Sequence, residues 1–443
     1  MRKTSNIWLA LVLSTLLAFV AACGTHSSST PSSSGSTTVP AGENLYVLDG
    51  YAPQGAAKTG NQQIIAFHPA GANPDKLVSL PMGLTSSDHQ RLYRATAKNG
   101  QTTVAILNTR TGATIRTLTI PGTYSTGQYF DNAMLSYNGQ WLALRQMNQA
   151  ENQTTIALID TQAGRVTKTI HLSGYFDLDA VSPDGSRIYL LERLNDGTGH
   201  YYVRLYQVDQ NQLMQGAIID KTIPNDIMIG TALTRQMASD GQTAYTLYVD
   251  TVHNIAFVHI LPLAGDFLGA RCIDLPIGKS SDLLRYYTLA LSPNGSTLYA
   301  ANGALGVASA ISLTGDDEVF NDKVESTVRF NPGSLNMTSS DKARLLHNGA
   351  VLSHDGNTLY VAGVRGIWAF NTTAISTGNS SVVQGNYLTQ QAFTSVAISS
   401  DGRTLYAVDP TSGITLLDSA TGQVRQVIQG PAQAPWGIEW IAN

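Results

Sequence analysis

A short phrase that recurs along this chain limits the folds open to it more than any other feature. The phrase is Ser-x-Asp-Gly or Ser-x-Asn-Gly, and a strand-like segment containing Leu-Tyr or Ile-Tyr follows it. Four copies keep this pattern, at residues 182–189, 292–299, 353–360 and 399–406. Looser copies occupy residues 86–93, where the Gly is lost, 136–143, where Trp141 enters the strand, and 238–245, where Ala replaces the Ser. Successive copies begin 46 to 61 residues apart, which is the period of a β-propeller blade rather than of a helical solenoid.

The segments between the phrases predict the strands of each blade. An apolar strand ends at the Ser, the Asp-Gly pair supplies the positive φ angles of a tight hairpin, and three more strands follow. A second turn is also patterned, at residues 108–112, 160–164 and 418–422, each of which ends in Gly. Each repeat is therefore expected to form a four-stranded antiparallel sheet, and the predicted fold class is all-β.

The two patterned turns together resemble the YVTN-type β-propeller repeat family, and the resemblance covers nearly all of residues 43–443. It implies a ring of blades around a central channel, with the innermost strand of each blade lining that channel. It does not imply one function, because the same scaffold carries binding, structural and catalytic sites.

The two ends of the repeat region predict how the ring closes. Seven phrases imply seven strand pairs, yet residues 45–49 form a Leu-Tyr strand that lacks its preceding partner. Residues 435–441 have the Pro-x-Gly-Ile form that leads into a phrase, so we expect them to pair with that strand and complete an eighth blade. Closure removes the exposed strand edges of an open array. Seven blades are the alternative, if the degenerate copy at residues 86–93 is not part of a blade.

Residues 1–22 have the organisation of an export signal. Arg2 and Lys3 precede an apolar run at residues 7–20, which is too short for a transmembrane helix, and two alanines then precede Cys23. Small residues before a Cys resemble a bacterial lipoprotein signal, which implies cleavage before Cys23 and acylation of its thiol. The alternative is an ordinary secretory signal that contains a Cys. We expect an exported protein anchored by Cys23 to the outer face of the cell membrane, or to the outer membrane in a cell that has two membranes.

The segment after the signal predicts a flexible tether. Residues 23–42 are rich in Ser and Thr, and a segment with so few apolar side chains does not bury enough surface to fold. The predicted organisation is a signal peptide (1–22), a lipid-anchored linker (23–42) and a propeller (43–443). Removal of Arg2 and Lys3 leaves 25 basic against 31 acidic residues, a net charge of −6. An acidic chain without a basic stripe is not expected to bind nucleic acid.

A ligand is expected in the funnel at which the innermost strands begin. Counting back five residues from each phrase selects one inward position per blade. The residues at these positions are Pro81, Asp131, Asp177, Leu233, Tyr287, Asn348, Thr394 and, as a looser match, Trp436. Asp179 lies two residues beyond Asp177, and so on the same face of a regular strand. Asp131, Asp177 and Asp179 are then candidates for a corner that binds a cation through oxygen ligands; the alternative is that these acids are simply solvated.

The aromatic residues divide into repeated and non-repeated positions. Tyr recurs at one position of the strand that follows the phrase, and such recurrence predicts packing between blades. This set is Tyr189, Tyr245, Tyr299, Tyr360 and Tyr406. Tyr287 and Trp436 do not repeat, so they are the better aromatic candidates for a ligand contact in the funnel.

No pattern in the sequence predicts a metal, a cofactor or a catalytic set. His253 and His259 share a strand face but lie about 20 Å apart at ~3.3 Å per residue, too far to share an ion. Cys272 belongs to no Cys-x-x-Cys set and is interpreted as a buried strand residue. The turn at residues 160–164 is similar to a repeat of quinone-dependent dehydrogenases, but Lys168 stands where that family has Trp. A Gly-x-Ser-x-Gly nucleophile elbow is absent.

These features favour a binding or scaffolding module for a protein or polymer partner at the cell envelope. The acidic insertion at residues 315–322 lacks the form of a calcium loop and is expected to leave the ring as a loop. Such a loop is a fair place for a partner, and the alternative is a solvated loop without a partner. The alternative is a hydrolase or lyase that acts on an extracellular sugar or cell-wall fragment, with Asp131, Asp177 or Asp179 in the funnel.

Overall fold

The computed structural model describes residues 39–50, 62–126, 132–223, 227–314, 321–334 and 345–443. The predicted signal, Cys23 and most of the linker lie outside the described residues, as do Asp131 and most of the acidic insertion. In the described part of the chain, no helix is long and apolar enough to cross a membrane.

The described residues form eight four-stranded antiparallel sheets arranged as the blades of a β-propeller, which confirms the predicted fold class and blade number. Blade 1 consists, innermost strand first, of β4 Leu84–Thr85, β5 Arg91–Lys98, β6 Gln101–Asn108 and β7 Thr114–Pro121. Blade 2 consists of β8 Ala133–Leu135, β9 Trp141–Asn148, β10 Gln153–Asp160 and β11 Arg165–Ser173. Blade 3 consists of β12 Phe176–Val181, β13 Arg187–Arg193, β14 Tyr201–Gln207 and β15 Gln212–Leu213. Blade 4 consists of β16 Thr231–Met237, β17 Thr243–Asp250, β18 Ile255–Pro262 and β19 Arg271–Asp274.

The remaining blades follow the same order. Blade 5 consists of β20 Thr288–Leu291, β21 Thr297–Asn302, β22 Val307–Ser312 and β23 Lys323–Arg329. Blade 6 consists of β24 Ala350–Leu352, β25 Thr358–Gly363, β26 Gly366–Asn371 and β27 Val383–Tyr387. Blade 7 consists of β28 Ser395–Ile398, β29 Thr404–Asp409, β30 Gly413–Asp418 and β31 Val424–Ile428. Blade 8 consists of β32 Pro435–Ala442, β1 Asn44–Asp49, β2 Gln63–Phe67 and β3 Lys76–Pro81. A 3-10 helix, Ser281–Tyr286, precedes blade 5, and a short helix α1, Thr372–Thr377, lies between β26 and β27.

Blade 8 contains both ends of the described chain. β32 pairs with β1 in antiparallel register, with Val47 opposite Ile438, so the predicted closure is confirmed. The carboxylate of Glu43, just before β1, is fully buried and reaches blade 7, where it accepts hydrogen bonds from the Tyr406 hydroxyl and, at 2.6 Å, from the backbone N–H of Ser400. Backbone pairing within blade 8 and side-chain contacts to blade 7 therefore both close the ring.

The recurring phrase builds the hairpin between the first two strands of a blade. In blade 3 the Ser182 hydroxyl donates to the Asp184 carboxylate at 2.6 Å, and that carboxylate accepts from the Ser186 backbone N–H at 3.0 Å. Partial burial favours the neutral acid, but these hydrogen bonds prevail and lower the pKa of Asp184. Gly185 has a φ of 73°, a left-handed conformation that glycine adopts without steric cost. In the degenerate copy, His89 occupies the glycine position and adopts a φ of 54°.

The repeated tyrosines lie between blades, as the sequence predicts. All five have less than a tenth of their surface exposed. The hydroxyl of Tyr189 donates to the Pro262 carbonyl oxygen at 2.8 Å, and that of Tyr360 donates to the Ser419 carbonyl oxygen at 3.0 Å, each in the next blade. A buried phenol thus contributes apolar contact area and has a partner for its polar end.

Apolar side chains fill the space between every pair of neighbouring blades. Eight hydrophobic clusters are present in the described residues, one at each blade-to-blade interface. The cluster between blades 4 and 5, for example, joins Leu247 and Val258 to Leu289 and Ile311. Each such side chain contributes roughly 1.5–3 kcal/mol when it is fully buried, so the sheets hold one another in position.

Candidate functional site

The strand order gives the ring two ends with different roles. The phrase hairpins lie at the lower end, and the innermost strands begin at the upper end, where the connections between blades also lie. The longest described segments at the upper end are residues 275–287, which precede blade 5, and the connection from blade 3 to blade 4, described apart from residues 224–226. The described candidate funnel residues, which lie near the starts of the innermost strands, therefore belong to the upper end.

Asp177 and Asp179 lie on β12 at the upper end, and both carboxylates are paired with arginines. Each has only 2% of its surface exposed, so neither is solvated as one of the sequence alternatives has it. Asp177 lies 2.6 Å from Nε of Arg193 and 3.2 Å from Nη2 of Arg145, which belongs to blade 2. Asp179 is paired with Arg235 of blade 4, whose Nη1 also donates to the Asp179 carbonyl oxygen at 2.6 Å.

A β-bulge explains why the two acids contact different blades. The pairing of β12 with β13 shifts by one residue between Leu178 and Ala180, so Asp179 is the extra residue. Regular alternation along β12 predicts that Asp177 and Asp179 lie on one strand face, and the bulge breaks that alternation. One carboxylate therefore contacts blade 2 and the other contacts blade 4.

The predicted cation corner has a different composition in the described residues. Asp131 lies outside them, and Asp177 and Asp179 bind guanidinium groups. Burial works against the charged guanidinium of Arg193, but Asp177 prevails and raises the pKa of Arg193, so this guanidinium stays charged. Among described residues, no group of three or more His, Cys, Asp or Glu side chains could hold a metal ion.

The other predicted funnel residues mainly support the fold. Tyr287 lies in the core between blades 4 and 5 rather than in the funnel, and its hydroxyl donates to the Pro276 carbonyl oxygen at 2.5 Å. Its burial raises its pKa. Thr394 is fully buried and donates to the carbonyl oxygen of Trp436 at 2.5 Å, and Trp436 is itself buried. The bond from Thr394 to Trp436 links blades 7 and 8.

Among the described members of the predicted set, Asn348 is the exposed one. Its amide Nδ2 donates to the carbonyl oxygen of Ile438 at 2.9 Å, so it links blade 6 to blade 8 across the innermost strand of blade 7. The hydroxyl of Ser395 in blade 7 accepts from the Ile438 backbone N–H at 3.1 Å. Three innermost strands are therefore joined to one another at this side of the channel.

The structure adds a pair of titratable residues that the sequence analysis did not select. Nε2 of His347, before β24, lies 3.2 Å from Oε1 of Glu439 on β32, and their side chains are 30% and 21% exposed. Gly437 makes room for this contact, because a Cβ there would lie 2.4 Å from Cδ2 of His347. Burial opposes the charged form of both residues, but the attraction between them is stronger than this effect. Glu439 therefore raises the pKa of His347. His347, with a smaller contribution from His89, lowers the pKa of Glu439.

The two groups of charged residues differ in what they can do chemically. Asp177 and Asp179 are buried acids held by arginines, so they are poor general acids or bases. The His347–Glu439 pair reaches solvent, and an imidazole next to a carboxylate can exchange protons with a bound molecule. The sequence carries only a weak signal for this pair, because neither residue recurs in the repeat and His347 has no second His at a metal-ligand spacing.

The comparisons with known proteins bear on the fold. No protein-family model matches the sequence. The curated proteins likewise contain no match. Among solved structures, AztD from Citrobacter koseri is similar with a TM-score of 0.50 and 11% identity, over 89% of this chain and 96% of that one.

Two further similar structures have lower TM-scores. A 6-phosphogluconolactonase, described as putative, from Bacteroides fragilis has a TM-score of 0.41 at 14% identity, over 81% of this chain and 100% of that one. The periplasmic gluconolactonase PpgL from Pseudomonas aeruginosa has a TM-score of 0.39 at 15% identity, over 80% of this chain and 99% of that one. At these identities the likeness concerns the fold alone. The chain is an eight-bladed β-propeller.

Proposed function

We propose that this chain is a binding module of the bacterial cell envelope, anchored by an acylated Cys23 and presenting the upper end of its ring to a protein or polymer partner. The observation that carries the proposal is the pairing of Asp177 and Asp179 with arginines. A rigid ring whose buried acids already have fixed partners is suited to presenting a surface, and the longest described connections lie at its upper end. The organisation of residues 1–42 supports export and the lipid anchor.

The anchor is tested by growth with an alkyne-labelled fatty acid in the bacterial host. The chain has two cysteines, so Cys272→Ser is a matched control for Cys23→Ser. We expect wild type and Cys272→Ser to carry the label and to sediment with membranes, and Cys23→Ser to lose both properties. Labelling that persists in Cys23→Ser contradicts the lipid anchor.

The binding surface is tested by photo-crosslinking in cells. Val252, in the turn between β17 and β18, is exposed at the upper end, and Leu77, near the start of β3, is exposed at the lower end. A photoreactive residue at position 252 is expected to capture an envelope protein or polymer, and the same residue at position 77 is expected to capture little. Equal capture at both positions, or none at 252, contradicts a partner at the upper end.

A hydrolase or lyase acting on an extracellular sugar or cell-wall fragment is the second candidate, and the His347–Glu439 pair favours it. Turnover of soluble cell-wall fragments by the purified protein, lost in both His347→Gln and Glu439→Gln and kept in Asp418→Asn, supports the enzyme. Asp418 is a suitable control because its ion pair with Arg425 lies in blade 7, at the lower end. Absence of turnover in wild type favours the binding module.

A further inference from the structure

Blade 3 departs from the repeat at its outermost strand. β15 has two residues, whereas the outermost strands of the other blades have four to nine. The chain does continue along β14. The backbone N–H of Met214 donates to the Leu205 carbonyl oxygen, and that of Ile218 donates to the Val203 carbonyl oxygen. Four positions separate the two donors but only two separate the two acceptors, so two extra residues bulge away from the edge of the sheet.

A cleft lies beside this bulge. It has a volume of about 260 Å³ and is lined by Glu192, Leu194, Tyr202, Arg204, Gly216 and Ala217. Glu192 lies directly opposite Tyr202 in the pairing of β13 with β14, and Arg204 follows two residues later, so the three side chains share one face of the sheet. The cleft thus lies at the irregular outer edge of blade 3, between this sheet face and the bulged residues Gly216 and Ala217.

The polar part of the cleft is a fixed donor–acceptor pair. The guanidinium of Arg204 is paired with the carboxylate of Glu192, and its Nη2 also donates to the Met214 carbonyl oxygen at 2.9 Å. Its Nε is buried and has no hydrogen-bond partner among the described residues. A guanidinium only donates hydrogen bonds, and a carboxylate only accepts them. A guanidinium beside a carboxylate therefore matches a ligand with neighbouring hydroxyls, because each hydroxyl can both donate and accept.

The apolar part of the cleft is the Tyr202 ring with Leu194 and Ala217. Ligand sites combine apolar and aromatic walls with a few fixed polar groups, and drug-sized ligands occupy roughly 300–1,000 Å³. A cleft slightly below that range fits one small ring. A sugar ring has an apolar C–H face for the tyrosine and neighbouring hydroxyls for the ion pair.

We infer that the cleft of blade 3 binds one sugar unit of an envelope glycan, with Tyr202 contacting the ring face and Glu192 and Arg204 exchanging hydrogen bonds with its hydroxyls. The inference rests on the proposed function, since it names the polymer class of the partner. The cleft lies apart from the His347–Glu439 pair, which belongs to blades 6 and 8.

The test uses saturation-transfer NMR and calorimetry on the detergent-solubilised full chain, with soluble trisaccharides of glucose, mannose, galactose and N-acetylglucosamine as probes. We expect at least one probe to bind at millimolar concentration. Tyr202→Ala and Arg204→Met should each weaken binding about tenfold, since a lost aromatic contact or an unmet hydrogen bond amounts to ~1–2 kcal/mol. Tyr202→Phe, which keeps the ring, should retain binding.

The matched control is Arg425→Met, which removes the guanidinium of a similar ion pair, with Asp418, in blade 7. It should leave binding unchanged, and thermal melting of every variant checks folding. Absence of binding by all probes, or binding that Tyr202→Ala and Arg204→Met leave intact, overturns the sugar site. Capture of a protein through position 202 with no trisaccharide bound also overturns it. Sugar binding that depends on Tyr202, together with failure of the Cys23 labelling, upholds the site and rejects only the anchor.

Discussion

At the scale of single residues, the side chains that matter most are those that depart from the repeat. Glu43 stands just before the first strand, yet its carboxylate is fully buried against blade 7. His89 stands where the other copies have Gly, and its ring stacks on Trp440, with 5.1 Å between ring centroids. The repeat pattern predicts neither contact, because each depends on a residue that is distant in sequence.

Replacement of Glu43 by Ala should destabilise the ring at its closure. The change leaves the buried Tyr406 hydroxyl without its acceptor, and an unmet buried donor costs about 1–3 kcal/mol. The Ser400 N–H also loses its acceptor, but Ser400 is exposed and water can replace the carboxylate there. We therefore expect the free energy of unfolding in urea to fall by about 1–3 kcal/mol. Glu151→Ala, at an exposed turn, is the control and should change it little. Equal stability of the two variants would show that Glu43 does not help to close the ring.

At the scale of the element, the phrase hairpins that keep the Ser have the same internal hydrogen bonds but different neighbours. A Cβ on Gly185 would lie 2.4 Å from the Trp141 ring of the preceding blade, whereas one on Gly295 would have no atom of the described residues within 4 Å. Their φ angles are 73° and 72°, so backbone strain is the same in both. The two glycines therefore separate the cost of a left-handed residue from the cost of a clash.

Gly295→Ala should cost about 1–2 kcal/mol of stability, the penalty for a left-handed L-residue. Gly185→Ala should cost the same and about 1–3 kcal/mol more, since Trp141 must move from a packed position. Urea unfolding of the two variants measures the difference directly. Indistinguishable midpoints and slopes would mean that the contact between blades 2 and 3 yields without cost.

At the scale of the whole molecule, the ring is held by contacts between blades that are far apart in sequence. β1 and β32 share a sheet, and Asn348 and Ser395 bond to Ile438 from blades 6 and 7. The His347–Glu439 ion pair adds a charge-dependent link between blades 6 and 8. The stability of the closed ring should therefore depend on pH through this pair.

The pKa of His347 is raised above 6.5 in the folded protein, so its stabilisation is complete below pH 6.5 and is lost as the pH rises through the raised pKa. The pKa of Glu439 is lowered below 4.5, so its stabilisation is complete above pH 4.5 and is lost as the pH falls through the lowered pKa. The difference in unfolding free energy between wild type and His347→Gln should be largest from pH 4.5 to 6.5.

Urea unfolding across a pH series measures this difference, with His171→Gln, a change at an exposed strand residue, as the control. His89 also acts on Glu439, so the series should be repeated in a His89→Gln background. A difference that does not vary with pH would show that the pair contributes contact area alone.

The recurring phrases determine the blades, their strand order and the pairing of the two ends, because hairpin chemistry and alternation of apolar residues are local properties. The buried repeated tyrosines follow from the same periodicity. The site residues were less predictable. Counting back along an ideal strand placed Tyr287 in the funnel and Asp177 and Asp179 on one face, whereas packing between blades buries the tyrosine and a bulge separates the acids. Tertiary structure alone brings His347 to Glu439 and opens the cleft at Tyr202, since both depend on irregular segments and on neighbours that no local pattern specifies.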